Sequence, residues 1–511
     1  MNHQNQLKSG VVLSYVNLLI GNIIPFIYTP IMLRLLGQAE YGLYGIANSV
    51  MGYIGLFNAS LGSAIIRYLS RYRAAGDTQQ ERRVLGLFIK LYSAVAIIIL
   101  AAGFFLSGHL EGYGGRSLTA DELDTLKILV RLMTVNMAFF LPFGVFSSVA
   151  IAHERYLFNR IISILTTVIS PCLNLVLLVL GWRSVGLVVS ATLVNLVSCS
   201  LYTFYSLRRL QIRPSFRKCP SGLLREIGVF SFFILLGSLV DVLYWSTDRL
   251  IIGWAMGTVA VAVYNIGATF NGYVTSLSTA ISGLLMPRIS SIVQENQDTT
   301  ALSDLFIKVG RLQFLVVAFI VSAFVVFGQQ FITLWAGPDY ADAYAVALLT
   351  MIPVTVPLIQ STGLNILMVL NKHRFRSVVY LIIALLNIAL TFILVERWGI
   401  IGAAAATCVA YLLGNCIVMN WYYHRVIGLD IPRFWKNIIR QLPLMLAFTV
   451  AGLFVTKFVS ITGWGSFFGC AVVYTVLFCL SAYLFAMNEY ERQLVKAPLL
   501  RLAHRLKKWK V

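Results

Sequence analysis

Charged residues are scarce in this chain. Only 12% of its 511 residues are Asp, Glu, Lys or Arg, whereas 59% are hydrophobic and the mean hydropathy is +0.81. Because soluble globular domains carry about 25% charged residues, this composition excludes a soluble globular protein. We therefore predict an all-α integral membrane protein, since a helix in lipid satisfies its backbone hydrogen bonds internally.

Motifs of enzymatic and cofactor chemistry are also missing. The sequence has no G-x4-G-K-[ST] loop, so it cannot hydrolyse ATP by that route. His153-Glu154 is not followed by a histidine at zincin spacing, and no G-x-S-x-G elbow occurs. The seven cysteines form no C-x-x-C pair, which argues against a disulfide framework or a metal site. We predict that the chain is not an enzyme and has no cofactor.

Long apolar segments, by contrast, are abundant. A span needs about 20 apolar residues, and fourteen segments qualify, at 11–33, 43–66, 84–107, 125–151, 161–181, 184–207, 227–253, 261–286, 311–335, 345–370, 377–395, 399–421, 441–461 and 466–487. With an even number of spans, both termini lie on one side. That side has 32 of the 40 Lys and Arg residues, and the positive-inside rule makes it the cytoplasm. The net charge of +20 thus reports orientation, and nucleic acid is not needed to explain it.

The two halves of the chain show an internal repeat. Tyr44, Ile46, Gly52 and Tyr53 recur as Tyr264, Ile266, Gly272 and Tyr273, and Trp182, Gly186 and Arg209 recur as Trp398, Gly402 and Arg425. We predict two pseudo-symmetric six-helix lobes, at residues 1–225 and 226–440, followed at 441–511 by two further helices and a basic tail. An even number of spans in each unit makes the repeats parallel, with the site at their interface.

The seventh span carries three charged residues. Asp241 lies near its middle, and Asp248 and Arg249 lie toward one end. A charge at the bilayer centre costs about 2.5–3.5 kcal/mol on insertion scales, and such residues usually face a bundle interior or a water-filled path. Since burial favours the neutral form of an acid and makes its protonation switchable, we predict that Asp241 is a proton or ion site. A structural ion pair is the alternative.

Polar amides occur inside the predicted spans of both halves. They are Asn17, Asn22, Asn48, Asn58, Asn136, Asn174, Asn195, Asn265, Asn271, Gln360, Asn365, Asn387 and Asn415. An amide both donates and accepts hydrogen bonds, as sugar hydroxyls require, and the abundant aromatic residues offer flat apolar faces. A single Asn is explained by an interhelical hydrogen bond, but thirteen amides together predict a wet, polar cavity.

Prolines and arginines also occur at informative positions. Prolines are expected to interrupt the first, fourth and tenth spans, as broken helices do at transporter sites, with simple kinks absorbed by neighbouring helices as the alternative. They are Pro25, Pro30, Pro142, Pro353 and Pro357. Arg34 and Arg67 end the first and second spans and could attract an anionic head group or act as anchors, and Arg131 begins the fourth. The tail places Leu499, Leu502, Leu506 and Trp509 opposite Arg501, Arg505 and Lys508. This pattern predicts contact with anionic lipid, with a frayed basic tail as the alternative.

Several segments resemble a known family. They are Arg34-Leu-Leu-Gly-Gln-Ala-Glu-Tyr-Gly-Leu-Tyr44, the helix end from Gly62 to Arg67, Asp248-Arg-Leu-Ile-Ile-Gly253 with Val-Tyr-Asn at 263–265, and Asn371-Lys-His-Arg-Phe-Arg376. These are similar to signatures of the polysaccharide transport family. That family contains the Wzx-type lipid-linked oligosaccharide flippases of the multidrug/oligosaccharidyl-lipid/polysaccharide exporter superfamily.

The resemblance implies a fold and a function. It implies fourteen helices in two lobes around a central cavity, in the bacterial cytoplasmic membrane. The implied function is the transfer of undecaprenyl-pyrophosphate-linked repeat units of O-antigen, capsule or exopolysaccharide to the outer leaflet, beside polymerase and export machinery. It also implies cavity roles for Asp248 and Arg249 and for the region of Arg34 and Arg67. Few Lys or Arg lie within the spans, however, which departs from a strongly cationic cavity.

The residues predicted to bind substrate or to couple ions come from both halves. They are Asp241, Asp248, Arg249, Arg34, Arg67, Arg131, Asn58, Asn136, Asn265, Gln360 and Asn365. Without an ATP site, a proton or sodium gradient or the membrane potential is the expected source of energy. A cation-coupled multidrug antiporter of the same superfamily is the main alternative function. A sugar polymerase or glycosyltransferase, which would need a sizeable outer loop, and an envelope scaffold acting through the tail are lesser ones.

Overall fold

The chain folds into helices joined by short connections. The computed structural model describes residues 3–114, 117–217, 222–283, 289, 291–292, 299–370, 372–459, 461–494 and 496, and no strand occurs among them. The helices are α1 (His3–Leu36), α2 (Gln38–Ile54), α3 (Leu56–Ala74), α4 (Thr78–Gly108), α5 (Leu110–Gly114), α6 (Ala120–Ala152), α7 (Tyr156–Val179), α8 (Arg183–Phe204), α9 (Leu223–Met256), α10 (Thr258–Gly283), α11 (Thr299–Trp335), α12 (Ala343–Ile359), α13 (Ser361–Val369), α14 (His373–Tyr411), α15 (Ile431–Ile439), α16 (Leu442–Phe458) and α17 (Trp464–Ser481).

Most of these helices are long and apolar enough to cross a membrane. Ten meet that description among the described residues, or up to twelve when each of two bent pairs counts as one span. The all-α membrane fold is therefore confirmed, while fourteen spans and cytoplasmic termini stay predictions. The predicted spans 377–395 and 399–421 fall in one helical run, Arg374–Ile427, which bends at Gly399 with φ of 60°.

The first compact unit comprises residues 1–265 and 388–403. In it α4 packs along α6, α1 along α7, α6 along α8, and α9 against both α2 and α3. The contact between α4 and α6 is close at Gly103, where an added Cβ would overlap the side chain of Thr134. Small residues at such crossings let helix backbones approach each other in the membrane.

The second compact unit comprises residues 266–387 and 404–511. Its central helix is α11, which contacts α12, α13, α15, α16 and α17. Arg311 of α11 forms a buried bidentate salt bridge with Glu491, with N–O distances of 2.7 and 3.1 Å. The same guanidinium donates to the backbone carbonyls of Asn437 and Ala486. These bonds tie α11 to α15 and to the chain that follows α17.

Backbone conformations support the internal repeat. Gly37 before α2 and Gly257 before α10 both have positive φ, of 81° and 84°. They are separated by 220 residues, the spacing of the Tyr44 and Tyr264 motifs. Arg183 and Gly399, each directly after a tryptophan and 216 residues apart, also share positive φ, of 46° and 60°. The predicted lobe boundaries at 225 and 440 nevertheless stay a prediction.

The prolines of the first and fourth spans do not interrupt their helices. Pro25 and Pro30 lie inside α1 and Pro142 inside α6, and both helices continue through them, as neighbouring helices in membranes allow. The tenth span does bend, by 45°, at Gln360, three residues after Pro357. The second span bends by 42° at Gly55 without a proline. Arg116, Asn371 and the predicted amphipathic tail at 499–509 lie outside the described residues.

Candidate functional site

Four helices of the first unit enclose a cavity of about 390 Å³. Each contributes one asparagine to the lining: Asn48 from α2, Asn58 from α3, Asn136 from α6 and Asn195 from α8. We call this the asparagine cavity. Its volume lies within the range of about 300–1,000 Å³ that is typical of small-molecule sites.

The amides in the cavity are oriented by hydrogen bonds. Asn136 donates through Nδ2 to the Thr192 hydroxyl at 2.7 Å and accepts from Asn195 Nδ2 at 3.4 Å. Asn48 donates through Nδ2 to the carbonyl of Tyr44 at 2.8 Å. Because an amide oxygen accepts two bonds and its nitrogen donates two, these groups keep capacity for a ligand. The exposed amide of Asn58 faces the same space.

The remaining lining of the asparagine cavity is apolar. Tyr44, Met51, Met133, Met137 and Phe140 provide flat or flexible faces. None of the fourteen lining residues is charged. Amides beside aromatic and thioether groups suit a neutral ligand rich in hydroxyl or amide groups, whereas a charged ligand would lack a counter-charge there.

Asp248 occupies a separate, buried position in the first unit. Its side chain on α9 is part of a residue that is only 2% exposed. The Tyr264 hydroxyl donates to Oδ2 at 2.7 Å, and the Thr391 hydroxyl donates to Oδ1 at 3.2 Å. Both carboxylate oxygens of this buried acid therefore accept a hydrogen bond from a hydroxyl group.

Asp241 and Arg249 lie in surroundings that differ from those of Asp248. Asp241, two turns earlier on α9, is exposed. Arg249 is half-buried, and its Nε atom is buried without a hydrogen-bond partner in the part of the chain that the structure describes. The three charged residues of the seventh span therefore have three distinct environments.

The predicted arginines do not line the asparagine cavity. Arg34 is exposed in the last turn of α1. Arg67 is exposed at the end of α3, with its guanidinium carbon 4.4 Å from the ring centre of Phe230. Arg131 donates through Nε to the Ser107 hydroxyl at 3.1 Å. Of the predicted site residues, the cavity contains only Asn58 and Asn136.

The remaining predicted amides are mostly buried. Asn265 is 7% exposed, and an added Cβ at Gly45 would overlap its side chain. Gln360, in the second unit, donates to Asn420 Oδ1 at 2.8 Å. Asn365 is half-buried on α13. Sequence reasoning missed Thr192 and Thr391 as hydrogen-bond partners, because hydroxyl residues are common in membrane helices. Tyr264 was noted only as part of the repeat and of the family resemblance.

The fold is similar to solved structures of two groups of transporters. It matches the lipid II flippase MurJ in an inward closed conformation with a TM-score of 0.70, at 14% identity over 95% of this chain and 99% of that one. An inward-facing multidrug resistance MATE family transporter of the MOP superfamily matches with a TM-score of 0.63, at 14% identity over 84% and 99%. The fold is thus that of these multi-pass membrane proteins.

Comparison of sequences assigns the chain to a family. The family described as "Polysaccharide biosynthesis protein" matches residues 7–293, and the chain belongs to that family. The "Uncharacterized membrane protein EpsK" of Bacillus subtilis (strain 168) is 22% identical over 481 residues, which are 91% of this chain and 93% of that protein. The "Putative O-antigen transporter" of Shigella flexneri is 20% identical over 401 residues, 77% and 92%. The chain is therefore a multi-pass protein of the bacterial cytoplasmic membrane.

Proposed function

We propose that this protein is a flippase for lipid-linked oligosaccharides. It moves undecaprenyl-pyrophosphate-linked repeat units of O-antigen, capsule or exopolysaccharide from the inner to the outer leaflet by alternating access. The observation that carries the proposal is the asparagine cavity, whose amides suit sugar hydroxyls and whose lining has no charge. The names of the O-antigen transporter of Shigella flexneri and of the lipid II flippase fit this substrate class.

The sugars bind through paired donors and acceptors. Asn136 is oriented by Thr192 and Asn195, so its amide is positioned before a ligand arrives and loses little entropy on binding. Phe140 and Tyr44 at the same cavity offer apolar faces to the sugar rings. Polymerase and export machinery are proposed partners that receive the flipped lipid.

Energy for transport comes from an ion gradient or the membrane potential. One charge crossing the membrane is worth about 2.3 kcal/mol per 100 mV. Asp241 and Asp248 are the two acids of α9 that could take up a proton or sodium ion. Asp248 is buried between two hydroxyl donors, and Asp241 is exposed near the middle of the helix.

A cation-coupled multidrug antiporter is the second candidate, because the fold also matches a MATE family transporter. Such a protein binds small cations, for which a carboxylate or an aromatic face is the usual partner. The asparagine cavity has aromatic faces but no carboxylate in its lining. That lining favours the neutral sugars of the first candidate.

Proteoliposomes containing the purified protein test the proposal. Transfer of a fluorescent undecaprenyl-pyrophosphate oligosaccharide would be measured with and without an imposed proton gradient, sodium gradient and potential. We expect gradient-dependent transfer that Asn136→Leu reduces. Absence of transfer under every gradient, with a folded protein in known orientation, would contradict the flippase. Transfer of small cationic compounds instead would establish the antiporter.

A further inference from the structure

A second cavity, with charged and apolar lining residues, lies in the first unit, where α3 ends and α9 begins. It has a volume of about 480 Å³, and its lining includes Arg67, Tyr68, Arg225, Glu226, Phe230 and Phe233. We call it the α3–α9 groove. In the predicted topology this end of both helices faces the cytoplasm, the side on which lipid-linked sugars would be loaded.

The α3–α9 groove has uncompensated positive charge. Arg67 and Arg225 are exposed, and neither forms a salt bridge within the part of the chain that the structure describes. The carboxylate of Glu226 is already paired, through Oε1, with Arg71 at 3.2 Å. Arg67 rests over the ring of Phe230, a cation–π contact that fixes the guanidinium while leaving its N–H groups able to donate.

The hydroxyl of Tyr68 lies beside the charged groups of the groove. Tyr68 is 1% exposed, and its phenol oxygen is buried. That hydroxyl interacts with Glu226 of the same groove. The groups that the groove offers to a ligand are therefore its two exposed guanidinium groups.

Apolar surface borders the charged part of the groove. Val229 and Phe233 of α9 line it and are 54% and 62% exposed. Two free guanidinium groups suit phosphate oxygens, which arginine binds in bidentate fashion. A ligand that fits both the two arginines and the apolar border carries a phosphate group on an apolar chain.

We propose that the α3–α9 groove binds the diphosphate of the lipid-linked substrate before the sugars enter the asparagine cavity. This assignment rests on the proposed function. The uncharged lining of the asparagine cavity offers no counter-charge for a diphosphate, so that group needs a separate site. The groove supplies two arginines and an apolar border on one surface.

Binding of undecaprenyl diphosphate, which lacks sugars, tests the proposal. The full-length protein in phosphatidylcholine nanodiscs would be titrated with this lipid, with phosphatidylglycerol and with inorganic pyrophosphate. In Arg67→Gln/Arg225→Gln we expect the Kd for undecaprenyl diphosphate to rise about tenfold or more, as the loss of charge-assisted bonds predicts. Arg213→Gln, at an exposed arginine between α8 and α9 that does not line the groove, is expected to leave Kd unchanged.

The other ligands distinguish the source of the phosphate. If phosphatidylglycerol binds as tightly as undecaprenyl diphosphate, the groove binds bulk anionic lipid. If pyrophosphate binds as tightly, the groove binds a free anion. Either result overturns the proposal. So does an unchanged Kd in the double variant. Transport that is absent from the wild-type protein while lipid binding remains intact would overturn the flippase function alone.

Discussion

Asn136 shows how a single amide shapes the asparagine cavity. It is the residue that both Thr192 and Asn195 contact, so one substitution removes a ligand-binding group and releases two neighbours. We expect Asn136→Leu to reduce oligosaccharide transfer in proteoliposomes about tenfold, because two hydrogen bonds of about 0.5–1.5 kcal/mol are lost.

The matched control for Asn136 is another amide in a membrane helix. Asn17 of α1 accepts a hydrogen bond from Ser163 at 3.2 Å and does not line the asparagine cavity. Asn17→Leu is expected to retain near-normal transfer. An equal loss in both variants would mean that the effect of Asn136→Leu is structural.

The two acids of α9 are expected to differ in their response to neutralisation. In Asp248→Asn the side chain keeps an oxygen that can accept from Tyr264 or Thr391, so the fold should be retained while the titratable charge is lost. If Asp248 couples ions, transfer becomes independent of the gradient. Asp241→Asn is the matched comparison in the same assay. Gradient-dependent transfer in both variants would exclude both acids as the coupling site.

The buried salt bridge between Arg311 and Glu491 gives a prediction about the stability of the protein. Removing one partner leaves an uncompensated buried charge, so Arg311→Met is expected to destabilise the protein by about 3–5 kcal/mol. The double variant Arg311→Met/Glu491→Leu should recover most of that loss. Thermal unfolding in detergent measures both. A double variant no more stable than the single one would show that the backbone bonds to Asn437 and Ala486 matter more than charge pairing.

At the scale of helices, the sequence is informative because apolar length decides where a chain can cross lipid. The run around Asp241 and Asp248 predicts a span, and α9 is one helix from Leu223 to Met256. The proline signal was misleading, since α1 and α6 continue through their prolines. A proline's effect depends on neighbouring helices, which sequence position does not specify.

The candidate site was only partly predictable, because it too depends on which helices are neighbours. Amides inside spans signalled a polar cavity, and Asn58 and Asn136 are in it. The partners of Asp248 could not be predicted, because Thr391 lies 143 residues away and a hydroxyl residue in a membrane helix has many alternative roles. The predicted arginines Arg34, Arg67 and Arg131 do not line the asparagine cavity.

The packing of α4 on α6 gives a prediction at the scale of elements. A Cβ at Gly103 would overlap Thr134, so Gly103→Ala forces the two helices apart and should destabilise the first unit by about 1–3 kcal/mol. Gly21 of α1 has no atom within 4 Å of an added Cβ, and Gly21→Ala should be neutral or stabilising by up to about 1 kcal/mol. Unfolding in detergent compares them, and equal stabilities would contradict the close contact.

At the scale of the whole molecule, the repeat and the compact units describe different properties. Shared backbone conformations at Gly37 and Gly257, and at Arg183 and Gly399, support an origin in two similar halves. The compact units divide the chain elsewhere, since α9 packs against α2 and α3 within residues 1–265 and 388–403. A duplicated sequence therefore need not separate into two independently stable pieces.

This difference can be tested with fragments of the chain. A fragment of residues 1–225, the predicted first lobe, lacks α9 and leaves the contact faces of α2 and α3 without their partner. Because packing and hydrogen bonds drive helix association in membranes, we expect this fragment to be degraded rapidly in cells. A fragment of residues 1–265 restores α9 and should accumulate to several-fold higher levels. Co-expression of residues 226–511 should protect the shorter fragment in the same way, because it returns α9 on a separate chain. If residues 1–225 alone resist proteolysis as well as residues 1–265 do, the first lobe is stable by itself and α9 contributes little to it.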